Sequence, residues 1–434
     1  MSAVREKVLL SNPIKKSPLL GATIALEGID GCLPLHHGPQ GCTAFAKNFL
    51  TQHFREVIPM QNSALSDIAT IMGDDTNLHS ALKTVIQKHR PAMVAVVGTA
   101  VSETRGDDIP SGLFRFRQIA PECAETALVH LAVPDFAGDM ELGYAQALTQ
   151  IIEQVVEPHH GELNTDSVVV LPSVNLTPGD LRQIKRIIRA FGLRCQLFPD
   201  IAPAMGGSNS RYSTLPRGGI TFDNIKTLGA HGAIIGIGES TASVGRALQQ
   251  KTSAPFHLLP SLIGVRSTDA LIDLSRTISG CDIPAELLDE RQLAIDAMLD
   301  SHFYWGEKQA ALAGEPDLVC GLGQFLMSEL GMALAAVVTT RATPQGQALG
   351  ALVGDHDDLA RLAAEADLLF GSTNSVPTAE KLGVPVIRVG YPVKDFLGQH
   401  QQCFVGYAGA MRLVYEIGNI FLEQHEHRAH KSTE

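Results

Sequence analysis

The 434-residue sequence has one tryptophan, 5% aromatic residues and no run of roughly 18 apolar residues. A bilayer core needs about that many in a row, so no membrane helix is expected. The first twenty residues, "MSAVREKVLLSNPIKKSPLL", offer one short apolar pair where a signal peptide needs an apolar core. A cytoplasmic protein is the expectation. Net positive charge is also lacking: the formal charge is -12 and the pI is near 5.7. Nucleic acids and anionic membranes are polyanions and would be repelled on average, so neither is an expected partner. Seven cysteines (Cys32, Cys42, Cys123, Cys195, Cys281, Cys320, Cys403) are scattered without CxxC spacing. In a reducing compartment such thiols stay free, and most free cysteines are small core residues.

A dinucleotide fingerprint is missing too. The best candidate, "GIGESTASVG" at 236–245, has Thr241 where GxGxxG needs its third glycine, so its glycines are expected to serve tight turns and not phosphate. No Ser/His/Asp order or close carboxylate pair can be assigned from the sequence.

What the chain does have is 45% hydrophobic content in recurring short runs, too much chain for one core. The runs are "AMVAVVG" (92–98), "SVVVLPSV" (167–174), "GAIIGIG" (232–238), "DLVCGLG" (317–323), "ALAAVVTT" (333–340), "DLLFGST" (367–373) and "VPVIRVG" (384–390). They read as strands buried on both faces, the pattern of parallel sheets. Helical segments alternate with them. The clearest is "TPGDLRQIKRIIRAFG", where Thr177 caps, Pro178 takes the first helical position, Asp180 closes a capping box and Gly192 ends the last turn. The alternation predicts an α/β fold of three Rossmann-like lobes with mostly parallel sheets. Polar breaks at 157–166 and 279–290 give expected domains of 1–162, 163–285 and 286–434, the last with a C-terminal helix. Further along, His302, Tyr304 and Trp305 could line a pocket, but Ala294, Ala297, Met298, His302 and Trp305 share a helical stripe that reads as core or interface.

The stretch His36-His37-Gly38-Pro39-Gln40-Gly41-Cys42 places a cysteine between a glycine-rich turn and an apolar helix expected to begin near Thr43. Turn N–H groups and the positive end of the helix both favour a thiolate there. The pairs Phe45/Phe49 and Leu50/Phe54 are expected to anchor that helix. From spacing alone a packed, protonated cysteine is the commoner reading, and hydrogen-bonded loop histidines are favoured over metal ligands for His36 and His37.

"HGPQGCTAF", "HFRE", "GTAVSETRGDD", "PSLIGVRSTDALIDLSRTISG", "IPAELLDERQLAIDAMLDSHFYWGEK" and "KLGVPVIRVGYPVKD…GYAGAMRLVYEIGN" occur in that order. Across nearly its whole length the chain resembles the nitrogenase component 1 family. In the catalytic β subunit of that family three cysteines ligate the P-cluster. Laid onto this sequence, the first falls at Cys42, the second at Met60 and the third at Ala100. A thioether and a methyl group cannot replace anionic ligands. A four-iron cluster needs four thiolates, so one from this chain and three from a partner would close the count. The resemblance is therefore closest to the β-like subunit of the family's cofactor-assembly scaffold, serving molybdenum or its vanadium counterpart.

That resemblance implies Cys42 as the one metal-binding residue, on a 4Fe-4S cluster shared with the partner subunit, and no catalytic residue in this chain. It implies an iron-sulfur precursor of the nitrogenase cofactor held mainly by that partner. The implied partners are a NifE-like or VnfE-like α subunit in an α2β2 heterotetramer, the nitrogenase Fe protein (NifH), and an upstream precursor donor such as NifB. Cys32 lies outside the family pattern and is expected to be structural. A catalytic β subunit and a dark-operative protochlorophyllide reductase subunit remain as alternatives within the fold.

Overall fold

The computed structural model describes residues 12–65, 75–136, 138–207 and 213–431. Residues 1–11, most of the segment expected not to be a signal peptide, lie outside them. No helix among the described residues is long and apolar enough to cross a membrane.

Three sheets carry the chain, and their strand pairings are parallel. The first has the order β2-β1-β3-β4, from β1 (Cys32–His37), β2 (Gln61–Asn62), β3 (Met93–Gly98) and β4 (Ala127–Leu131). The second has the order β6-β5-β7-β8, from β5 (Asn164–Leu171), β6 (Arg194–Leu197), β7 (His231–Ile237) and β8 (Phe256–Leu259). The third has the order β11-β10-β9-β12-β13, from β9 (Gln309–Gly314), β10 (Ala333–Thr339), β11 (Leu352–Val353), β12 (Leu368–Gly371) and β13 (Val386–Arg388). The α/β class with parallel sheets is thus the observed one. Two compact units divide the chain: residues 16–181 with 195–258, and residues 1–15 with 182–194 and 259–434.

In the unit formed by 16–181 and 195–258, one helix is buried on every side. This is α1 (Pro18–Glu27), all ten of whose residues are buried. Ser17 caps it, its hydroxyl oxygen accepting from the Leu19 N–H at 3.1 Å, and Pro18 takes the first helical position. A helix apolar all round has no water-facing side and must be enclosed. Numbered after it in chain order are α2 (Gln40–Phe54), α3 (Thr76–His89), α4 (Ala100–Arg105), α5 (Ile109–Ile119) and α6 (Met140–Val155). Helices α1 and α6 meet backbone to backbone. A Cβ on Gly21 would lie 1.9 Å from the Met140 carbonyl oxygen, and one on Gly143 would lie 2.2 Å from that of Pro18.

The predicted capping box is present at α7 (Pro178–Ala190), with Thr177 N–H on Asp180 at 2.9 Å and Asp180 N–H on Thr177 at 3.0 Å. One predicted strand is not a strand. "DLVCGLG" lies inside the helix Pro316–Ser328, which Glu315 precedes and Pro316 opens. A short apolar run is ambiguous between a buried strand and a buried helix, and Pro316 at the first helical position was the signal that decides it. Its Gly321 and Gly323 are packing positions, where a Cβ would approach Ser261 Oγ at 2.5 Å and Leu349 Cδ1 at 2.9 Å. In the helix Ala285–Trp305, Ala294, Ala297 and Trp305 are buried as expected, but His302 is exposed and faces its own helix, with Nδ1 2.6 Å from the Leu299 carbonyl.

Candidate functional site

The geometry of the site starts with "CLPLHH" as strand β1, despite a proline in its middle. Successive residues of a strand face opposite neighbours. The His36 carbonyl accepts from Ser63 N–H on the β2 side at 3.0 Å, while the His37 carbonyl accepts from Thr99 N–H after β3 at 3.3 Å. Pro34, two residues before His36, therefore faces the β2 side. There β2 pairs only with Leu35 and His36, so the missing proline N–H interrupts no bond of the ladder.

The chain leaves β1 to form α2 and β2 on one side, then returns to β3 on the other. This reversal makes the carboxyl edge between β1 and β3 a topological switch point, the usual place for a ligand in an open parallel sheet. Two loops meet there. Gly38 follows β1 and packs against Thr99, and an added Cβ would lie 2.1 Å from Thr99 Oγ1. Only glycine permits that approach.

The same alternation sends His36 and His37 to opposite faces. His36 Nε2 lies 3.0 Å from Thr23 Oγ1 of α1, and its Nδ1 lies 3.2 Å from Thr43 Oγ1 of α2. Thr23 donates its own proton to the Leu19 carbonyl at 2.7 Å, so His36 Nε2–H donates to Thr23 and Nδ1 accepts from Thr43. Burial pushes the His36 imidazole down to about 4, which keeps it neutral. His37 Nδ1 lies 2.9 Å from Ser63 Oγ, and its Nε2 lies 3.3 Å from Asp107. Ser63 Oγ also accepts the Gly38 N–H at 3.1 Å. All four ring nitrogens are thus engaged, as expected of hydrogen-bonded histidines, but both residues lie in strand β1 and not in the expected loop. Ser63, Thr23 and Asp107 were not singled out from sequence; the period of two in a strand was the one signal that could have separated the roles of the two histidines.

Cys42 is half-buried and is the third residue of α2, since the helix begins at Gln40, three residues before the expected start. The predicted preference for thiolate is overridden in the isolated chain. Burial and the Asp135 carboxylate push the thiol up, against a backbone N–H that favours the anion. A bound metal would reverse this by displacing the proton. On one flank Gly41 is exposed, and a Cβ there would meet nothing within 4 Å. One turn on, Phe45 is 60% exposed, so the Phe45/Phe49 pair lies outward while Leu50 and Phe54 are the buried anchors. Ala100, the first residue of α4, shares this carboxyl edge through the pairing of Gly98 with His37. Met60 is buried and immediately precedes β2. Cys32, at the start of β1, is fully buried.

No group of three or more His, Cys, Asp or Glu side chains with metal-binding geometry occurs among the described residues. Cys42 is the one thiol placed at this edge and has open space beside Gly41, which suits one corner of a cluster completed from outside and not a closed site. At the other candidate loop Thr241 Oγ1 donates to the Gly238 carbonyl at 2.7 Å, and a Cβ on Gly245 would lie 2.1 Å from the Phe256 ring. Those glycines serve a turn and packing.

Sequence reading also missed Glu27, the last residue of α1. Its side chain is fully buried and neither carboxyl oxygen has a hydrogen-bond partner. Burial raises its pKa well above 4.5, with only partial relief from Lys47. Between the unfolded and the raised folded value, the native state holds a proton that the unfolded chain has released, so stability falls as pH rises through that window. Glu27→Gln is expected to remove this slope, stabilising the chain at pH 8 and leaving it unchanged near pH 4; urea unfolding at both values measures it.

The family model for "Nitrogenase component 1 type Oxidoreductase" matches residues 17–422. The chain is 37% identical over 426 residues to the nitrogenase iron-molybdenum cofactor biosynthesis protein NifN of Nostoc sp. (strain PCC 7120), covering 97% of this chain and 95% of that one. The NifN of Klebsiella pneumoniae is 34% identical, with 98% and 94% covered. A chain of the solved structure described as "Nitrogenase Cp1 at pH 6.5" superposes with a TM-score of 0.92 at 30% identity, covering 98% of this chain and 96% of that one. With its family match, its full-length relatives and a shared fold, the chain belongs to the nitrogenase component 1 family.

Proposed function

We propose that this chain is the β-like subunit of the scaffold on which the iron-molybdenum cofactor of nitrogenase, or its iron-vanadium counterpart, matures. Cys42 gives its thiolate to a 4Fe-4S cluster whose other three thiolates come from a NifE-like or VnfE-like α subunit in an α2β2 heterotetramer. The observation that carries this reading is the donor set: one half-exposed cysteine at the β1/β3 edge, with Met60 and Ala100 at the two positions where catalytic relatives keep ligands. The names of the full-length relatives point to cofactor assembly and support the same role.

When bound, the cluster would supply single-electron transfer during maturation. The tasks of this chain are to present one sulfur on a rigid helix, to exclude water with the buried half of that side chain, and to meet the α-like subunit. Phe45, one turn along α2 from the cysteine and 60% exposed, suits burial under a partner. The cofactor precursor is held mainly by the α-like subunit, NifB supplies it, and NifH docks on the assembled complex.

Co-expression with a NifE-type subunit followed by anaerobic purification tests the proposal. The expected product holds about four irons per αβ pair at the interface, as one four-iron cluster requires. An eight-iron interface would instead indicate a catalytic β subunit. A bound tetrapyrrole would indicate a protochlorophyllide reductase, and no stable complex would contradict the shared site.

A further inference from the structure

We propose that His36 and His37 are positioning residues for Cys42, each clamping one end of the turn from Gly38 to Thr43. The proposal rests on the reading of Cys42 as a cluster ligand. Two neighbouring strand residues reach opposite faces of the first sheet, so each histidine is braced by different elements. His36 is fixed to α1 through Thr23, which is itself bonded to the Leu19 carbonyl, and it accepts the Thr43 hydroxyl on the helical residue next to Cys42. His37 is braced by Asp107 and accepts the Ser63 hydroxyl, whose oxygen takes the Gly38 N–H. The bonds are buried: Thr23, His36, His37, Thr43 and Ser63 are each at most 5% exposed.

Between the two clamps lie only Pro39, Gln40, Gly41 and Cys42, and Gly41 has no side chain to lock it. A ligand shared between two chains must meet the others without adjustment, because each part of the site is built on a separate fold. Buried bonds from second residues are how proteins fix such ligands. The thiol position is therefore set from both ends by groups that do not touch it.

The test uses the full chain purified without metal and measures alkylation of Cys42 by iodoacetamide, mapped by peptide mass spectrometry. Half-buried Cys195, in the same unit, serves as the internal reference. Thr43→Val removes the hydroxyl at one end with little change of shape, and Ser63→Ala removes the acceptor of the Gly38 N–H at the other. Each is expected to raise the Cys42 rate about tenfold, the effect of one lost buried hydrogen bond, with Cys195 unchanged. Thr43→Ser restores the hydroxyl and should return the rate to within about twofold of wild type.

Wild-type Cys42 rates in both removal variants would overturn the proposal. So would a parallel rise at Cys195, which marks general loosening, or a Thr43→Ser rate equal to that of Thr43→Val. If Ser63→Ala fails to fold, the two Thr43 variants decide alone. Because no metal is present, these rates stand apart from the ligand reading, which fails separately if Cys42→Ala keeps its iron in the complex.

Discussion

Cys42→Ala, co-expressed with a NifE-type partner, is expected to yield a folded chain whose complex has lost essentially all the iron of the shared site. The fold should survive because the side chain is only half-buried, on the first turn of a surface helix outside the strand ladders, so the stability change should stay within about 0.5 kcal/mol. The site should not survive, because removing one of four thiolates leaves an iron without its sulfur ligand, and neither neighbouring histidine is free to replace it: His36 and His37 have both ring nitrogens engaged. Cys32→Ala is the matched control. That side chain is fully buried, so its loss should lower stability by roughly 1 kcal/mol through a small cavity while the iron content stays at wild type. Iron analysis and the EPR spectrum of the reduced complex separate the two variants.

Gly21→Ala and Gly143→Ala should produce the largest losses of stability. Alanine is favoured over glycine in a helix by about 1 kcal/mol, so propensity alone predicts a gain. Contact geometry predicts the reverse. The added methyl at position 21 would sit 1.9 Å from a carbonyl oxygen and 2.7 Å from the Tyr144 nitrogen, both backbone atoms that cannot rotate away. Separating α1 from α6 by an ångström or more would open the core around a helix with no exposed side. The net cost expected is about 3 kcal/mol, near the upper end for overpacking, or a fall of about 6–12 °C in the midpoint of this unit. Gly41→Ala is the comparison, since a Cβ there meets nothing within 4 Å and should change the midpoint little. Thermal melts followed by circular dichroism report all three.

The parts of the fold that could be read in advance were those where one local signal speaks without competition. Thr177, Pro178 and Asp180 spell a helix start within four consecutive residues, and the structure has that capping box. Runs rich in valine, such as Met93–Gly98, were legible as buried strands because β-branched residues suit a pleated surface and the length is too short for a helix. Apolar content fails as a guide where both answers are buried. "DLVCGLG" became helix because Pro316 and the residues up to Ser328 extend it, whereas β1, with a proline and two histidines, carries almost no strand signal. Its strand state comes from the long-range ladder to β3.

At the candidate site, sequence gave the cysteine, its glycine turn and the two positions where family thiolates are replaced. It could not give Ser63, Thr23 or Asp107 as partners of the histidines, because those contacts join residues 13 to 70 positions apart. Nor could it give the direction of the Cys42 pKa. Helix and turn amides act locally and were visible, while burial and Asp135 act through the fold and outweigh them.

The most direct measurement is a density map of the complex with its α-like partner, purified without oxygen and resolved well enough to place sulfur and iron. The account predicts the Cys42 sulfur bonded to one iron of a four-iron cluster, with the remaining three irons held by the partner. A cluster fully ligated within the partner, with the Cys42 sulfur bare, would contradict it.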